Sequence, residues 1–454
     1  MRDNSARFPG GLMSLYKCSV FLCLTLALTI AWSALIVNAT AVQSASTLPA
    51  QLTDAEFWRM VTDFSEPGGA FPYENFVSNE GKLQTVIPAL KRMTKSGGAY
   101  IGVGPEQNFT LASALQSKMA FVIDIRRQNM LELLMYKALF EMSPNRADFV
   151  SRLFSRRRPS GLDDKASADA LFAAYEPVKA DADFYVQNLQ DIKNSIAAHK
   201  FQLSSDDLLK IDYVYQVFYR AGASINYAFA SATPGGNSPS YRENMTATDT
   251  TGRNWSYLAS EENFQYIREM QRKNMIVPLV GDFAGPSAIR NVGRYLKDHN
   301  TIVSAFYVSN VEGYLDAKTN QDFYASTATL PIDASSTFIR FIDGVHQSSM
   351  MPSWWRSGAS PTGPMLVSPM VDLVNPIKAG LHPSYEEMVR TMPDPLTLAG
   401  LPGRDADIGV GPLQFVPKGA PAPVGYTLIG TTRQTIQLLD GTSRTADLDV
   451  YSKK

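Results

Sequence analysis

The chain has 454 residues, 42 Lys and Arg against 43 Asp and Glu, a formal net charge of −1 and 45% hydrophobic residues. That balance excludes a disordered polyelectrolyte and gives no global positive field, so no nucleic-acid partner is expected. Only one stretch is apolar and long enough to span a bilayer, which excludes a polytopic membrane protein, and the length points to two or three domains or one large domain with insertions.

Both cysteines, Cys18 and Cys23, fall inside that apolar stretch, Cys18–Val37. Cysteine nucleophiles, zinc knuckles and iron–sulfur clusters are therefore excluded for everything downstream. Arg2, Arg7 and Lys17 precede the stretch and no charge follows it until Asp54, so the positive flank stays inside and the remainder is exported. Small-x-small sites at Val37-Asn38-Ala39 and Ala39-Thr40-Ala41 suit a signal peptidase. Residues 1–41 read as a signal peptide or an uncleaved N-terminal anchor, which would be the only contact with the membrane. The body is expected on the periplasmic or extracellular face.

Residues 42–96 read as an N-terminal helical cap. Thr53 to Glu56 opens a helix with an N-cap and early acidic residues, with Phe57, Trp58, Val61 and Phe64 on its apolar face and Pro67-Gly68-Gly69 after it. A second helix is expected from about Lys82 to Met93. Residues 97–145 then show β-α-β-α: a strand at Ala99–Val103, a turn at Gly104–Asn108, a helix at Phe109–Lys118, a strand at Met119–Ile123 ending at Asp124, and a helix at Asn129–Phe140. This order implies a parallel sheet covered by helices.

Residues 146–273 read as a helical insertion, with helices at Ala166–Ala174, Val178–His199, Ser205–Ala221 and Glu261–Lys273 and a loop at Ser231–Ser240. The sheet pattern resumes over residues 274–392, with strands at Met275–Val280, Ile302–Val308 and Ser336–Ile342 and a helix over Pro286–Leu296. Thirteen of the 27 prolines lie between residues 351 and 425, which points to irregular covering structure there. Residues 393–454 read as a Pro-rich linker and a small β-hairpin module, with Tyr426–Ile429, Thr435–Leu439 and an Asp440-Gly441 turn after them.

The candidate cofactor residues are Gly102, Gly104, Glu106, Asn108, Asp124 and Asp282. Gly102-x-Gly104 sits between strand and helix, where glycines let backbone approach a ligand, and Asp124 ends the next strand, where it can accept two ribose hydroxyls. Gln107 stands in place of the third glycine of the dinucleotide fingerprint, which favours a nucleoside such as S-adenosylmethionine over NAD. Tyr100 occupies the position where methyltransferases usually carry an acid, and Glu106 is the substitute for orienting an amino group. The competing reading is that the two glycines only permit tight strand-to-helix packing.

Asp282 stands where an adenine amino group is often held, or else caps the following helix. Tyr307, Asn310 and Glu312 are the candidate catalytic residues, placed at the carboxyl edge of the sheet around the end of the fourth strand to orient or deprotonate an acceptor. The four histidines are far apart in sequence and imply no metal site. Arg152 and Arg156–Arg158 are read as an anion site or a solvated basic helix end.

These residues sit in longer stretches that resemble a family of uncharacterised bacterial proteins with a class I methyltransferase-like core. They are Asn75–Glu80, Tyr100–Asn108 with Ile123–Arg126, Asn254–Asn263, Leu279–Gly285, Ala305–Glu312 and Asp333–Phe338. The similarity runs from about residue 70 to about residue 392. The resemblance implies an α/β, Rossmann-like parallel sheet of the class I methyltransferase type, with a large helical insertion and a small C-terminal β extension. The resemblance supplies a fold and no reaction; the site residues give two expectations, an S-adenosylmethionine-dependent methyltransferase, or a non-catalytic extracytoplasmic protein that binds a small molecule on the same scaffold.

Overall fold

The computed structural model describes residues 47–227, 238–342, 351–352, 363–401, 413–419, 426–437 and 443–453. The export segment, most of the 231–240 loop and the Asp440-Gly441 turn lie outside the described residues. No helix among the described residues is long and apolar enough to cross a membrane.

The core is a six-stranded sheet of β1 (Ala99–Gly102), β2 (Met119–Asp124), β3 (Ile276–Val280), β4 (Val303–Ser309), β5 (Thr337–Phe341) and β6 (Met365–Pro369), in the order β3-β2-β1-β4-β5-β6. The first five strands in this order are mutually parallel, and β6 runs antiparallel to β5. This α/β architecture is compatible with a Rossmann-like fold. Strands β1, β2 and β3 are buried along their whole length, which is why Met119–Asp124 and Ile276–Val280 read as unbroken apolar runs instead of alternating ones.

The helices take their places from where their apolar faces can be buried. Helix α1 (Asp54–Phe64) starts at a capping box between Thr53 and Glu56 and buries Phe57, Met60 and Val61. A single 3₁₀ turn over Leu83–Val86 leads into α2 (Ile87–Met93), so the helix expected from Lys82 divides in two. Helix α3 (Gln107–Leu115) follows β1, and α4 (Arg127–Met142) follows β2. From Asn129 to Phe140 every residue of α4 is buried, including Glu132 and Lys137, because the insertion covers the face that would otherwise meet solvent.

The insertion holds α5 (Arg146–Leu153), α6 (Ala168–Tyr175), α7 (Ala182–Ala198), α8 (Ser205–Ala221), α9 (Tyr241–Thr246) and α10 (Glu261–Arg272). Two of these, α5 and α9, were not foreseen. Interlocking rings fasten the insertion to the core. Phe140 of α4 lies 4.5 Å from Phe149 of α5 and 5.3 Å from both Phe109 of α3 and Phe264 of α10. Such pairs add to the burial of their area by about 1 kcal/mol each.

Beyond β3 come α11 (Ala288–Asp298) and, after β4, the unforeseen α12 (Ala317–Thr327). The proline-rich region is more regular than its composition suggested. It contains β6, α13 (Val371–Lys378), α14 (Tyr385–Thr391) and α15 (Pro395–Leu398); α15 carries Pro395 at its first position, where a missing N–H costs nothing. The C-terminal module is a three-stranded antiparallel sheet of β7 (Leu413–Pro417), β8 (Tyr426–Gln437) and β9 (Ser443–Lys453), ordered β7-β9-β8. The two short strands expected between 426 and 439 are one long strand.

His199, just after α7, clasps three elements. Its ring nitrogens lie 2.9 Å from Asp54 Oδ1 of α1 and 2.8 Å from Glu141 Oε2 of α4, and the ring stacks on Phe201. The hydrogen bond to Glu141, assisted by its charge and by Asp54, raises the His199 pKa against a smaller opposing effect of burial. The clasp's contribution is full below the ordinary histidine value and is lost as pH rises through the raised folded value. On the acid side, Asp54 and Glu141 are held below their ordinary range, so their share is lost only as pH falls through those lowered values. His199→Gln is expected to cost about 2 kcal/mol near pH 6. The difference from wild type in urea-unfolding midpoint should shrink steadily toward pH 9; a difference independent of pH would contradict the charged clasp.

Candidate active site

Strand order reverses between β1 and β4, and a crevice opens beyond their carboxyl ends, as parallel sheets of this kind require. A cavity of about 350 Å³ occupies that crevice. It falls within the range of small-molecule sites. Its floor comes from the loops after β1, β2, β3 and β4, and its far wall from the irregular segment 65–80, which crosses the strand ends.

That segment is pinned by backbone and side chain alike. Glu66 N–H donates to Val280 O at 2.8 Å, Gly69 N–H to Ile125 O at 2.8 Å, and Val280 N–H to Ser65 Oγ at 2.9 Å. The Glu66 carboxylate accepts the N–H groups of Ser287 and Ala288, both at 2.7 Å, and of Asp282 at 3.1 Å. It therefore caps α11, the role the sequence offered to Asp282. Asp282 is instead at the cavity wall, with Oδ1 accepting the Ala284 N–H at 2.9 Å.

Gly104, Asp124, Asp282, Tyr307 and Asn310 line the cavity; Gly102, Glu106, Asn108 and Glu312 do not. Gly102 serves packing, since a Cβ there would collide with Asn108 Oδ1 and the Tyr100 hydroxyl, which bond to each other at 2.7 Å. Asn108 in turn donates to the carbonyls of Val103, Gly104 and Pro105 and so ties down the turn from behind. Gly104 is different: it faces the cavity at φ +78°, a conformation that favours glycine.

Asp124 reaches the cavity with both oxygens engaged. Its Oδ1 accepts the backbone N–H and Nε–H of Arg126 at 2.8 and 3.0 Å, and its Oδ2 accepts the second guanidinium nitrogen at 3.0 Å. Three of its roughly four acceptor positions are thus taken by Arg126, which leaves one on Oδ2 for a ligand hydroxyl. Arg126 also donates to the Glu74 carbonyl and itself lines the cavity.

Glu312 is buried away from the cavity in a forked ion pair with Arg340 of β5, at 2.6 and 3.2 Å, and accepts the Tyr324 hydroxyl at 3.0 Å. Arg340 also donates to Ser368 Oγ at 2.9 Å. Glu312 therefore joins β4 to β5 and β6 instead of serving an acceptor. Of the basic cluster, Arg157 pairs with Asp181 and Arg158 with Asp148 and Asp164, as a solvated, ion-paired helix end would.

The group best placed for chemistry is Glu80, which the sequence reading did not single out. It is 3% exposed, lines the cavity, and accepts the Ser309 hydroxyl on Oε1, with the Tyr307 hydroxyl near enough to act on its charge; its Oε2 has no hydrogen-bond partner. Burial pushes its pKa up to about 7, against the lowering effect of the two hydroxyls. A carboxyl that is half protonated near neutral pH can both take and give a proton. Gln107 donates to the Tyr307 hydroxyl at 3.3 Å and orients it.

Ser309 holds φ +52° after a bulge between Tyr307 and Ser309 in the β4–β5 register. Asn75, on the opposite wall, holds φ +51°. Non-glycine residues in this conformation are concentrated at functional sites. At the mouth, Phe71 meets Tyr314 edge-on at 5.3 Å and Tyr73 at 5.7 Å. Tyr314 is 52% exposed, so an aromatic rim borders the opening.

Among the described residues no group of three or more His, Cys, Asp or Glu is arranged to hold a metal ion. Fold and site together define an α/β protein with a ligand-sized cavity at the switch point of a mostly parallel sheet and a buried carboxyl in its wall. Residues 75–357 match the family model described as Domain of unknown function (DUF7790), and the chain belongs to that family. No curated protein matches it.

Glu312→Gln leaves the Arg340 charge buried and poorly compensated, which is expected to cost about 3–5 kcal/mol. Urea unfolding would show this as a lower midpoint. A midpoint unchanged from wild type would return Glu312 to the list of functional candidates.

Proposed function

We propose that the protein is an enzyme that acts on a small molecule in the switch-point cavity, with Glu80 as the proton-transfer group and a nucleoside-bearing ligand, S-adenosylmethionine first, as the candidate cofactor. The observation that carries this reading is the Glu80 carboxyl: buried, facing the cavity, with one oxygen unpartnered and a pKa raised to about 7. Perturbed carboxyls in clefts are where acid–base chemistry is found.

The nucleoside part has partial support. Gly104, Asp124 and Asp282 stand where such a ligand would lie, and Tyr307 and Asn310 stand on the acceptor side. An antiparallel strand at the edge of the sheet suits the class I methyltransferase type. The two-hydroxyl ribose contact would require Arg126 to give up part of its hold on Asp124, where it bonds both oxygens. What the residues themselves do is clearer. Glu80 exchanges a proton with the bound molecule, Ser309 and Tyr307 hold the carboxyl in place, and segment 65–80 excludes water.

One observation favours a second reading, a non-catalytic small-ligand-binding protein. Arg126 at the cavity wall suits an anionic ligand that would draw it from Asp124. Export would also place the body where S-adenosylmethionine is scarce. A phosphatase fused after residue 60 is expected to be active in the periplasm; an inactive reporter would contradict export.

Isothermal titration of the full chain with S-adenosylmethionine, S-adenosylhomocysteine and NAD tests the ligand. Saturable binding of the first two is expected, weakened about tenfold or more in Asp282→Ala, the equivalent of one charged hydrogen bond. In Glu80→Gln the binding should persist but lose its pH dependence between 6 and 8. Absence of binding to all three would sink the nucleoside reading and leave the anion-binding one.

A further inference from the structure

A second buried carboxyl lies behind Glu80. Glu106, just before α3, is fully buried; one oxygen accepts the Ser78 N–H at 3.2 Å and the other has no partner. Ser78 also links the two acids, because its hydroxyl accepts the Glu80 N–H at 3.1 Å. Both residues line a second, much smaller cavity of about 10 Å³, together with Gln84, Thr110 and Asn244. That is close to the smallest space able to hold one water, with the polar partners a buried water needs.

The surroundings are rich in neutral acids. Tyr100 of β1 and Tyr307 of β4 face Glu80, while Glu132 and Tyr136 of α4, Tyr241 of α9 and Tyr257 face Glu106. Arg126 acts on Glu132 and is itself held by Asp124. Burial pushes Glu106 up to about 8, and the charge of Glu80 adds to the rise.

We propose that Glu80 and Glu106 share a proton through a water in the small cavity that both residues line, so that Glu106 is the internal proton store for the acid–base group of the active site. When Glu80 gives its proton to a bound molecule, the Glu106 proton crosses the bridging water to Glu80. Glu106 is left as the carboxylate, facing the Ser78 N–H, until a proton returns by the same path. The bound molecule gains one proton and the pair loses one, so no other reactant is required. This inference rests on Glu80 being the acid–base group, and it assigns Glu106 a positioning role behind the wall instead of the ligand contact its place after Gly104 suggested.

The test is a carboxyl ¹³C NMR titration of the full, glutamate-labelled chain from pH 5 to 9.5, without ligand, with Glu80→Gln and Glu106→Gln assigning the signals. In wild type, both carboxyl carbons are expected to titrate in two steps at shared midpoints, as coupled sites do. Each variant should reduce the remaining carboxyl to one step, and Glu106 in Glu80→Gln should fall by about one pH unit, the scale of such coupling. Single independent steps in wild type, with midpoints that the variants leave unchanged, would overturn the shared proton while keeping Glu80 as an acid–base group. A Glu80 carbon that stays ionised throughout would overturn both. Because no ligand is present, neither outcome depends on whether a nucleoside binds.

Discussion

The carboxyl edge of the sheet depends on how residues 65–80 are fastened across it. Two backbone hydrogen bonds, the Ser65 hydroxyl and the Glu66 carboxylate hold the segment against β2, β3 and the start of α11. Because it is held there, Glu80 is buried against β4, Asn75 and Phe71 form the cavity wall, and the carboxyl loses the water that would keep its pKa ordinary. A carboxylate accepting several backbone N–H groups at a helix start is among the stronger ways of anchoring an irregular chain.

The sheet was legible in the sequence because its strands are buried on both faces. Met119–Asp124, Ile276–Val280 and Val303–Ser309 carry short apolar runs bounded by turns, and the β-α-β-α order around Gly97–Ser143 fixes a parallel arrangement. Helix Ser205–Ala221 was legible to its ends because Ser204 and Asp207 form a capping box and Gly222 follows. Strand β6 was hidden by the prolines around it, although Pro369 sits at its last position, where it interrupts little. Helices α5 and α12 were missed although each starts at a side-chain cap, Asn145 accepting the Asp148 N–H and Asp316 the Thr319 N–H; both are short, 8 and 11 residues, and a single cap residue is a common turn signal.

The candidate site was legible in part. The loops after β1, β2, β3 and β4, where the sequence places the candidates, line the cavity, since local pattern places strand ends. What lies opposite them was not legible, because segment 65–80 has no periodicity and meets partners such as Ser309, 229 residues away. Arg126 was in plain view two residues after Asp124, but its choice of that carboxylate is a matter of three-dimensional geometry. Glu312 and Glu106 carried the right chemistry on the wrong side of a wall, which residue type alone does not reveal.

The long reach from Glu80 to Ser309 also orders events in time. A contact across 229 residues is non-local, the kind whose loop-closure entropy makes it slow to form. Until then the acids destined for burial are ordinary solvated carboxylates. The family match begins at residue 75, yet the Glu66 latch and the Phe71 rim precede it, so the unit that works together extends upstream of the unit that the family model defines.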